Sequence, residues 1–307
     1  MRLAAAAIIL WLVVIALITT MQRRLVFLGY RSGPKTPYVV PPERQSTGRL
    51  FAVEIPDPGA NAKEVINGWL ALESPDSDPV RGVQGGRPLV LYFGGNASNR
   101  TRRLRSTDLF NALGANVLIA DYRGYADNEG QPSEEAFVAD ARAVWQFARE
   151  TLGMPAGQIV LCGESLGGGV AVQLAAQVCR DGEPPAGLML RATFASLVQT
   201  AAYHYPFAPV RLLLMDRFES HKVIGDVTCP VIHFHGRRDN VVPYRHGREL
   251  FAAVPEASES GIPKRFVTLE NAGHNDILWR DAEAYQRASA EFLRSLGFTP
   301  RSAGSTP

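Results

Sequence analysis

Gly163-Glu164-Ser165-Leu166-Gly167 sets a serine between two glycines, directly after the apolar run Gln158–Cys162 and at the start of a small-residue helix predicted over Leu166–Cys179. A five-residue string of this kind is weak alone; the strand–turn–helix context gives it weight. A serine on so tight a turn crowds its neighbours, so the flanking positions must lack side chains. The turn lifts the hydroxyl clear of the sheet. It also points the Leu166 N–H, at the helix start, toward an oxyanion formed on an attacked carbonyl.

A serine hydroxyl is a poor nucleophile until a base takes its proton. Of six histidines, His274 sits in the polar turn Asn271–Asp276, between the last apolar run and the last helix. His233 and His235 could share a strand face and bind a metal, but no third ligand is evident. His204 and His221 fall in a segment outside the regular alternation, and His246 reads as lying on a solvated helix face. The base needs a carboxylate to fix its tautomer and stabilise its charged form. Asp239, in the turn after the fifth central run, takes that place. Asp121 competes, but it precedes Tyr122-Arg123-Gly124-Tyr125 and reads as a structural carboxylate. The chain order is then Ser165, Asp239, His274. A second oxyanion donor is expected from the loop after Pro88–Phe93, where Gly94-Gly95 lets the backbone approach a ligand; the N–H of Asn96 is the choice, with Ala97 as its neighbour.

These residues need a frame. Six short apolar runs (Pro88–Phe93, Asn116–Ala120, Gln158–Cys162, Gly187–Leu190, Pro230–Phe234, Phe266–Leu269) alternate for the most part with helical stretches at Ser98–Leu113, Ser133–Leu152, Leu166–Cys179 and Asp276–Leu296. That alternation predicts an α/β fold, with a mostly parallel central sheet flanked by helices on both faces. A hairpin of Leu50–Ile55 and Val65–Glu73 precedes it, and Ser74–Arg87 reads as turns. Residues 195–227 break the pattern and read as a small helical, cap-like insertion roofing the site; an ordinary crossover helix with long flanks is the alternative. The catalytic domain is placed at 49–297, with a flexible tail at 298–307.

Leu3–Met21 carries no charge. At ~1.5 Å per residue it spans roughly 28 Å, near the ~30 Å hydrocarbon core of a bilayer. A cleavable signal peptide would have a shorter apolar region ending in small residues, which Ile18-Thr19-Thr20-Met21 is not. Residues 1–24 are therefore read as a single-pass membrane anchor and 25–48 as a linker. Arg23, Arg24, Arg31 and Lys35 after the run, against Arg2 before it, lean toward a cytoplasmic catalytic domain.

A net charge of +2 gives no basis for a polyanionic partner, and no basic stripe with interleaved aromatics suggests nucleic acid. Cys162, Cys179 and Cys229 are odd in number and widely spaced, so neither a disulfide framework nor a zinc cluster is expected. No metal or other cofactor is called for.

Taken together, YFGGNASN (92–99), DYRGYADNEGQPSEE (121–135), GESLGGG (163–169), HGRRDNVVP (235–243) and NAGHND (271–276) resemble the membrane-anchored α/β-hydrolase-domain serine hydrolases related to the yeast bud-emergence suppressor protein. The resemblance implies the α/β-hydrolase fold and a triad of Ser165, Asp239 and His274. It also marks a departure: the family has His-Gly-Asn-Ala at the oxyanion loop, and Gly94 stands where that histidine would be. The expected activity is hydrolysis of an ester or thioester through an acyl-serine, on small-molecule, lipidic or acylated-protein substrates. A serine peptidase of the same fold and a non-catalytic membrane-anchored scaffold are the alternatives.

Overall fold

Runs such as Leu89–Phe93 and Ile159–Cys162 have no polar face, so they are stable only where both faces of a sheet are covered. The computed structural model, which describes residues 11, 20–31, 38–56, 65–97 and 99–300, places them in that setting. Eight strands form one sheet in the order β1-β2-β4-β3-β5-β6-β7-β8. They are β1 (Leu50–Pro56), β2 (Val65–Ala71), β3 (Leu89–Phe93), β4 (Asn116–Ala120), β5 (Ile159–Glu164), β6 (Gly187–Arg191), β7 (Val231–Gly236) and β8 (Arg265–Leu269). β1–β2 and β2–β4 pair antiparallel, and the remaining pairs are parallel. Alternate residues feed the two layers: Leu89, Leu91 and Phe93 enter the larger core with the helix Leu166–Arg180, while Val90 and Tyr92 enter the other with the helix Ala282–Ser295.

The helix Glu134–Gln146 begins as its sequence predicts, with the Ser133 hydroxyl accepting from the Ala136 N–H and two glutamates in its first turn. Three elements differ from the sequence reading. Ser74–Arg87 contains a short helix, Pro79–Val83, because the Asp78 carboxylate accepts from the Val80 and Arg81 N–H groups. The C-terminal helix is two pieces, Ile277–Arg280 and Ala282–Ser295, interrupted at Asp281. His246 lies on the helix Tyr244–Ala252 but is buried, not solvated; Thr200 of the helix Leu197–His204 covers it, with its hydroxyl 3.3 Å from the His246 Nδ1.

Residues 195–227 hold the short helices Leu197–His204, Val210–Leu213 and Ser220–Val223. Most of the apolar run Leu3–Met21 lies outside the described residues, as does the tail from 301; among the described residues no helix is long and apolar enough to cross a membrane. Within the stretch read as a linker, Phe27 is fully buried against Phe137, with ring centroids 5.1 Å apart. The chain is thus joined to the core by residue 27.

Asp121 is a structural carboxylate in a buried cluster. Arg100 bonds Asp121 at 2.6 Å and Asp127 at 2.6 and 2.7 Å, tying the segment after β4 to the one after β3. Arg100→Met would leave two carboxylates buried without their cation. Loss of about 3–5 kcal/mol in urea unfolding is expected, with Arg100→Lys recovering part of it; an unchanged midpoint would count against the cluster's structural role.

Candidate active site

Ser165 ends β5 and starts the helix Leu166–Arg180 with φ 53° and ψ −118°, a conformation non-glycine residues rarely adopt. The flanking glycines are required by contact. A Cβ on Gly167 would lie 2.1 Å from the Phe93 carbonyl oxygen, and one on Gly163 would lie 2.4 Å from the Gly167 carbonyl oxygen. Ser165 N–H donates to the Arg191 carbonyl (2.9 Å), and Thr193 Oγ1 donates to the Ser165 carbonyl (2.7 Å), so the turn is held from β6 as well.

The hydroxyl of Ser165 lies 3.0 Å from His274 Nε2, and His274 Nδ1 lies 2.7 Å from Asp239 Oδ2. The three groups stand in one hydrogen-bonded series, an arrangement in which an imidazole can take a serine's proton while a carboxylate fixes its tautomer. Asp239 is buried in the turn after β7, where its other oxygen accepts the Val241 and Val242 N–H groups at 2.9 and 2.8 Å. Burial alone would raise its pKa, but hydrogen bonds from His235 and His274 outweigh that and lower it to about 2. The loop carrying His274 is braced by two further carboxylates. Asp281 accepts from the Asn271 and Ala272 N–H groups (2.9 and 2.8 Å), and Asp276 from the Gly273 N–H (2.6 Å). The break in the C-terminal helix therefore does local work: it turns Asp281 back onto the loop.

Asn96 and Leu166 both line the cavity into which Ser165 and His274 open. Ala97, the alternative donor, lines it too. The Asn96 side chain is fully engaged behind the loop. Its Oδ1 accepts from Tyr125 Oη (2.7 Å) and the Leu28 N–H (3.1 Å), while its Nδ2 donates to the Val26 carbonyl (2.5 Å). The Gly29 N–H closes the clamp on the Asn96 carbonyl at 3.0 Å. At Gly94 an added Cβ would meet nothing within 4 Å, and the Gly94 carbonyl accepts from Tyr122 Oη at 3.1 Å. Loop support thus comes from Tyr122, Tyr125 and the N-terminal segment.

The sequence reading missed the group beneath Ser165. Glu164 is buried and bonded to Arg191, to Tyr92 Oη (2.6 Å) and to Arg103 (2.8 Å). Burial would raise its pKa, but the Arg191 and Arg103 cations outweigh it and hold the carboxylate at about 2. His235 was also missed as a partner of Asp239; it is fully buried, with Nε2 3.4 Å from Asp239 Oδ2 and 2.9 Å from the Val242 carbonyl. Among the described residues no group of three His, Cys, Asp or Glu side chains is arranged to hold a metal.

The cavity has a volume of about 1040 Å³ and walls made mostly of apolar side chains, including Phe194, Leu197, Val210, Leu214 and Val242. Residues Leu197–Leu214 supply its roof, and Leu25, Val26 and Leu28 part of one side. Arg24, Arg102 and Arg103 are the cations on its lining; Glu164, already paired, is the one acid among the described lining residues.

Comparison with known proteins agrees with this architecture. Residues 86–223 match the Hydrolase_4 family, described as serine aminopeptidase S33. An uncharacterised protein of Mycobacterium tuberculosis is 36% identical over 281 residues, covering 91% of this chain and 90% of its own length. The lysophosphatidylserine lipase ABHD12 of Danio rerio is 29% identical over 310 residues, covering 92% of this chain and 80% of its own. The solved structure of Pyrococcus furiosus esterase Pf2001 has the same fold, with a TM-score of 0.64 at 17% identity over 86% of this chain and 96% of that one.

Two outcomes are expected. Asn96→Ala removes the clamp on the oxyanion loop, and kcat should fall by about 10- to 100-fold, short of the ~10²–10³ lost when a donor itself is removed; unchanged kcat would show that the clamp does not position the loop. Asp239, lowered to about 2, stays ionised from about pH 3 upward. A pH–rate profile should therefore have no step near pH 4 that disappears in Asp239→Asn.

Proposed function

The chain belongs to the α/β-hydrolase family, and from that premise we propose that it is a serine hydrolase cleaving carboxylic ester or thioester bonds, with Ser165, His274 and Asp239 as its triad. The observation that carries this is the unbroken hydrogen-bonded series from the Ser165 hydroxyl through His274 to Asp239, at 3.0 and 2.7 Å, opening on an apolar cavity.

In this reading Ser165 Oγ attacks the carbonyl carbon as His274 Nε2 takes its proton. The negative charge forming on the carbonyl oxygen is met by the N–H groups of Asn96 and Leu166, which need not reorganise as the charge develops. Asp239, ionised and buried, stabilises the imidazolium. His274 then gives its proton to the leaving alcohol or thiol, and an acyl-serine remains. Water, deprotonated by His274, attacks that acyl group; the acid leaves and Ser165 regains its proton.

The lining favours a lipidic ester. A cavity of about 1040 Å³ walled by Leu, Val and Phe suits an acyl chain, and Arg24 and Arg102 on its lining suit an anionic group on the substrate. The lysophosphatidylserine lipase relatives act on a lipid of that kind. The serine aminopeptidase description raises a second reading, but a free α-ammonium calls for an unpaired carboxylate. The one acid among the described lining residues is Glu164, already held by Arg191 and Arg103. The uncharged run Leu3–Met21 supports single-pass membrane attachment, with the basic residues that follow it favouring a cytoplasmic domain.

A fluorophosphonate probe should label the folded protein, and Ser165→Ala should abolish the label. The same substitution should lower p-nitrophenyl ester turnover by about 10⁴- to 10⁶-fold. Long-chain esters should be cleaved far faster than aminoacyl anilides; the reverse preference would favour the peptidase, and equal labelling of Ser165→Ala would remove the serine from the mechanism.

A further inference from the structure

The roof of the cavity carries an outer surface that neither its folding nor the triad explains. Phe207 is 98% exposed and Leu212 86%, with Tyr205 and Met215 exposed beside them in sequence. Leu25 and Leu28 are exposed on the N-terminal segment, and both of them line the cavity, as does Tyr205. The apolar surface therefore continues into the mouth of the site. A concentration of exposed large apolar side chains on the short elements around a cavity mouth marks a place where another apolar phase is met.

Two observations identify that phase. The first is the junction with the N-terminus. Gln22 Nε2 donates to the Leu213 carbonyl (3.2 Å), the Met215 N–H donates to Gln22 Oε1 (2.8 Å), and Arg23 pairs with Asp216 at 3.0 Å. The roof is thereby fastened to the residues that immediately follow the nineteen-residue uncharged run Leu3–Met21. The second is charge. No Asp or Glu occurs in residues 1–42 or 192–215, whereas Arg24 and Arg211 are exposed there. Asp216, which follows Met215, is buried and neutralised by Arg23, so the exposed charges beside these aromatic and leucine side chains are Arg24 and Arg211, a pattern that matches the interface of an anionic bilayer.

We propose that Tyr205, Phe207, Leu212 and Met215, together with Leu25 and Leu28, form a rim seated in the interface of an anionic lipid bilayer, through which an ester's acyl chain passes from the membrane into the cavity without crossing water. This rests on the hydrolase reading of the site and adds the phase from which its substrate comes. The rim is a membrane contact separate from the N-terminal run. It orients the site toward the lipid rather than tethering the chain to it.

The test uses the full chain in vesicles of phosphatidylcholine and phosphatidylglycerol. Phe207 and Leu212 do not line the cavity, so Phe207→Glu/Leu212→Glu should leave turnover of soluble p-nitrophenyl butyrate within about twofold, while turnover of a long-chain monoacyl lipid ester held in the vesicles falls about tenfold or more. Equal turnover of the vesicle ester by variant and wild type overturns the proposal. So does a parallel loss on the soluble ester, which would place these residues in the chemistry. A second measurement does not depend on catalysis. The fluorescence added by Phe207→Trp should be quenched in vesicles containing brominated phosphatidylcholine, and an unquenched signal overturns the proposal. A detergent-solubilised dimer that the double substitution converts to monomer would assign the rim to a second copy instead. Failure of the wild type on every ester, with quenching retained, would sink the hydrolase reading and leave the lipid contact standing.

Discussion

At Ser165 the backbone is held where an ordinary residue does not rest, and every part of the candidate site depends on keeping it there. A residue at φ 53° and ψ −118° relaxes unless its neighbours forbid it. Here they do so by contact on three sides. Gly163 and Gly167 are so close to backbone that any side chain would collide with carbonyl oxygens, and Gly168 packs against Thr193. Glu164, the residue just before the turn, cannot swing away because Tyr92, Arg103 and Arg191 hold its carboxylate. Breaking one partner of such a buried cluster strands the others without compensation, which makes the arrangement all-or-none. The cavity-lining hydroxyl of Ser165 therefore sits on a rigid ionic footing rather than on a loop.

The other two members of the series are held differently. Asp239 and His274 lie on turns beyond the carboxyl ends of β7 and β8, and each turn is locked by carboxylates receiving backbone N–H groups. Asp239 does this for its own turn, and Asp276 and Asp281 for that of His274. Charge-assisted bonds to backbone are stronger than neutral ones and define direction as well as distance. The oxyanion loop is held in a third way, by an asparagine gripped by the chain's own N-terminal segment.

The fold was legible because the apolar runs are short, continuous and separated by helices, and only a covered parallel sheet satisfies that pattern. The serine, the aspartate and the histidine stood out because each follows a strand run in a turn made by glycine or polar residues. What escaped were interactions between residues far apart in the chain. Nothing near Glu164 announces that Arg191, at the end of the next strand, neutralises it, since both lie beyond the apolar runs. His246 reads as solvated because its own helix is strongly polar; Thr200 and Tyr203, on an element whose placement no local pattern reveals, pack against it. Phe27 fell within a stretch read as linker because a single anchoring aromatic has no periodicity. Gly94, a departure from the resembled family, has open space beside it, so the missing side chain leaves no packing defect.

The interruption at Asp281 reaches further than the loop it braces. The helix resuming at Ala282 buries Tyr285, whose ring packs on Phe234 of β7 with centroids 4.5 Å apart and lies 5.5 Å from the Arg191 guanidinium. One rigid rod thus touches the strand leading to Asp239, the cation beneath Ser165 and, through its N-cap Asp281, the loop bearing the imidazole. Its seat in the core acts as a mechanical datum for all three. A packing defect in that rod, remote from any bound molecule, would shift the His274 ring and the Ser165 hydroxyl relative to each other and lengthen the hydrogen bond between them before it was felt as a loss of fold.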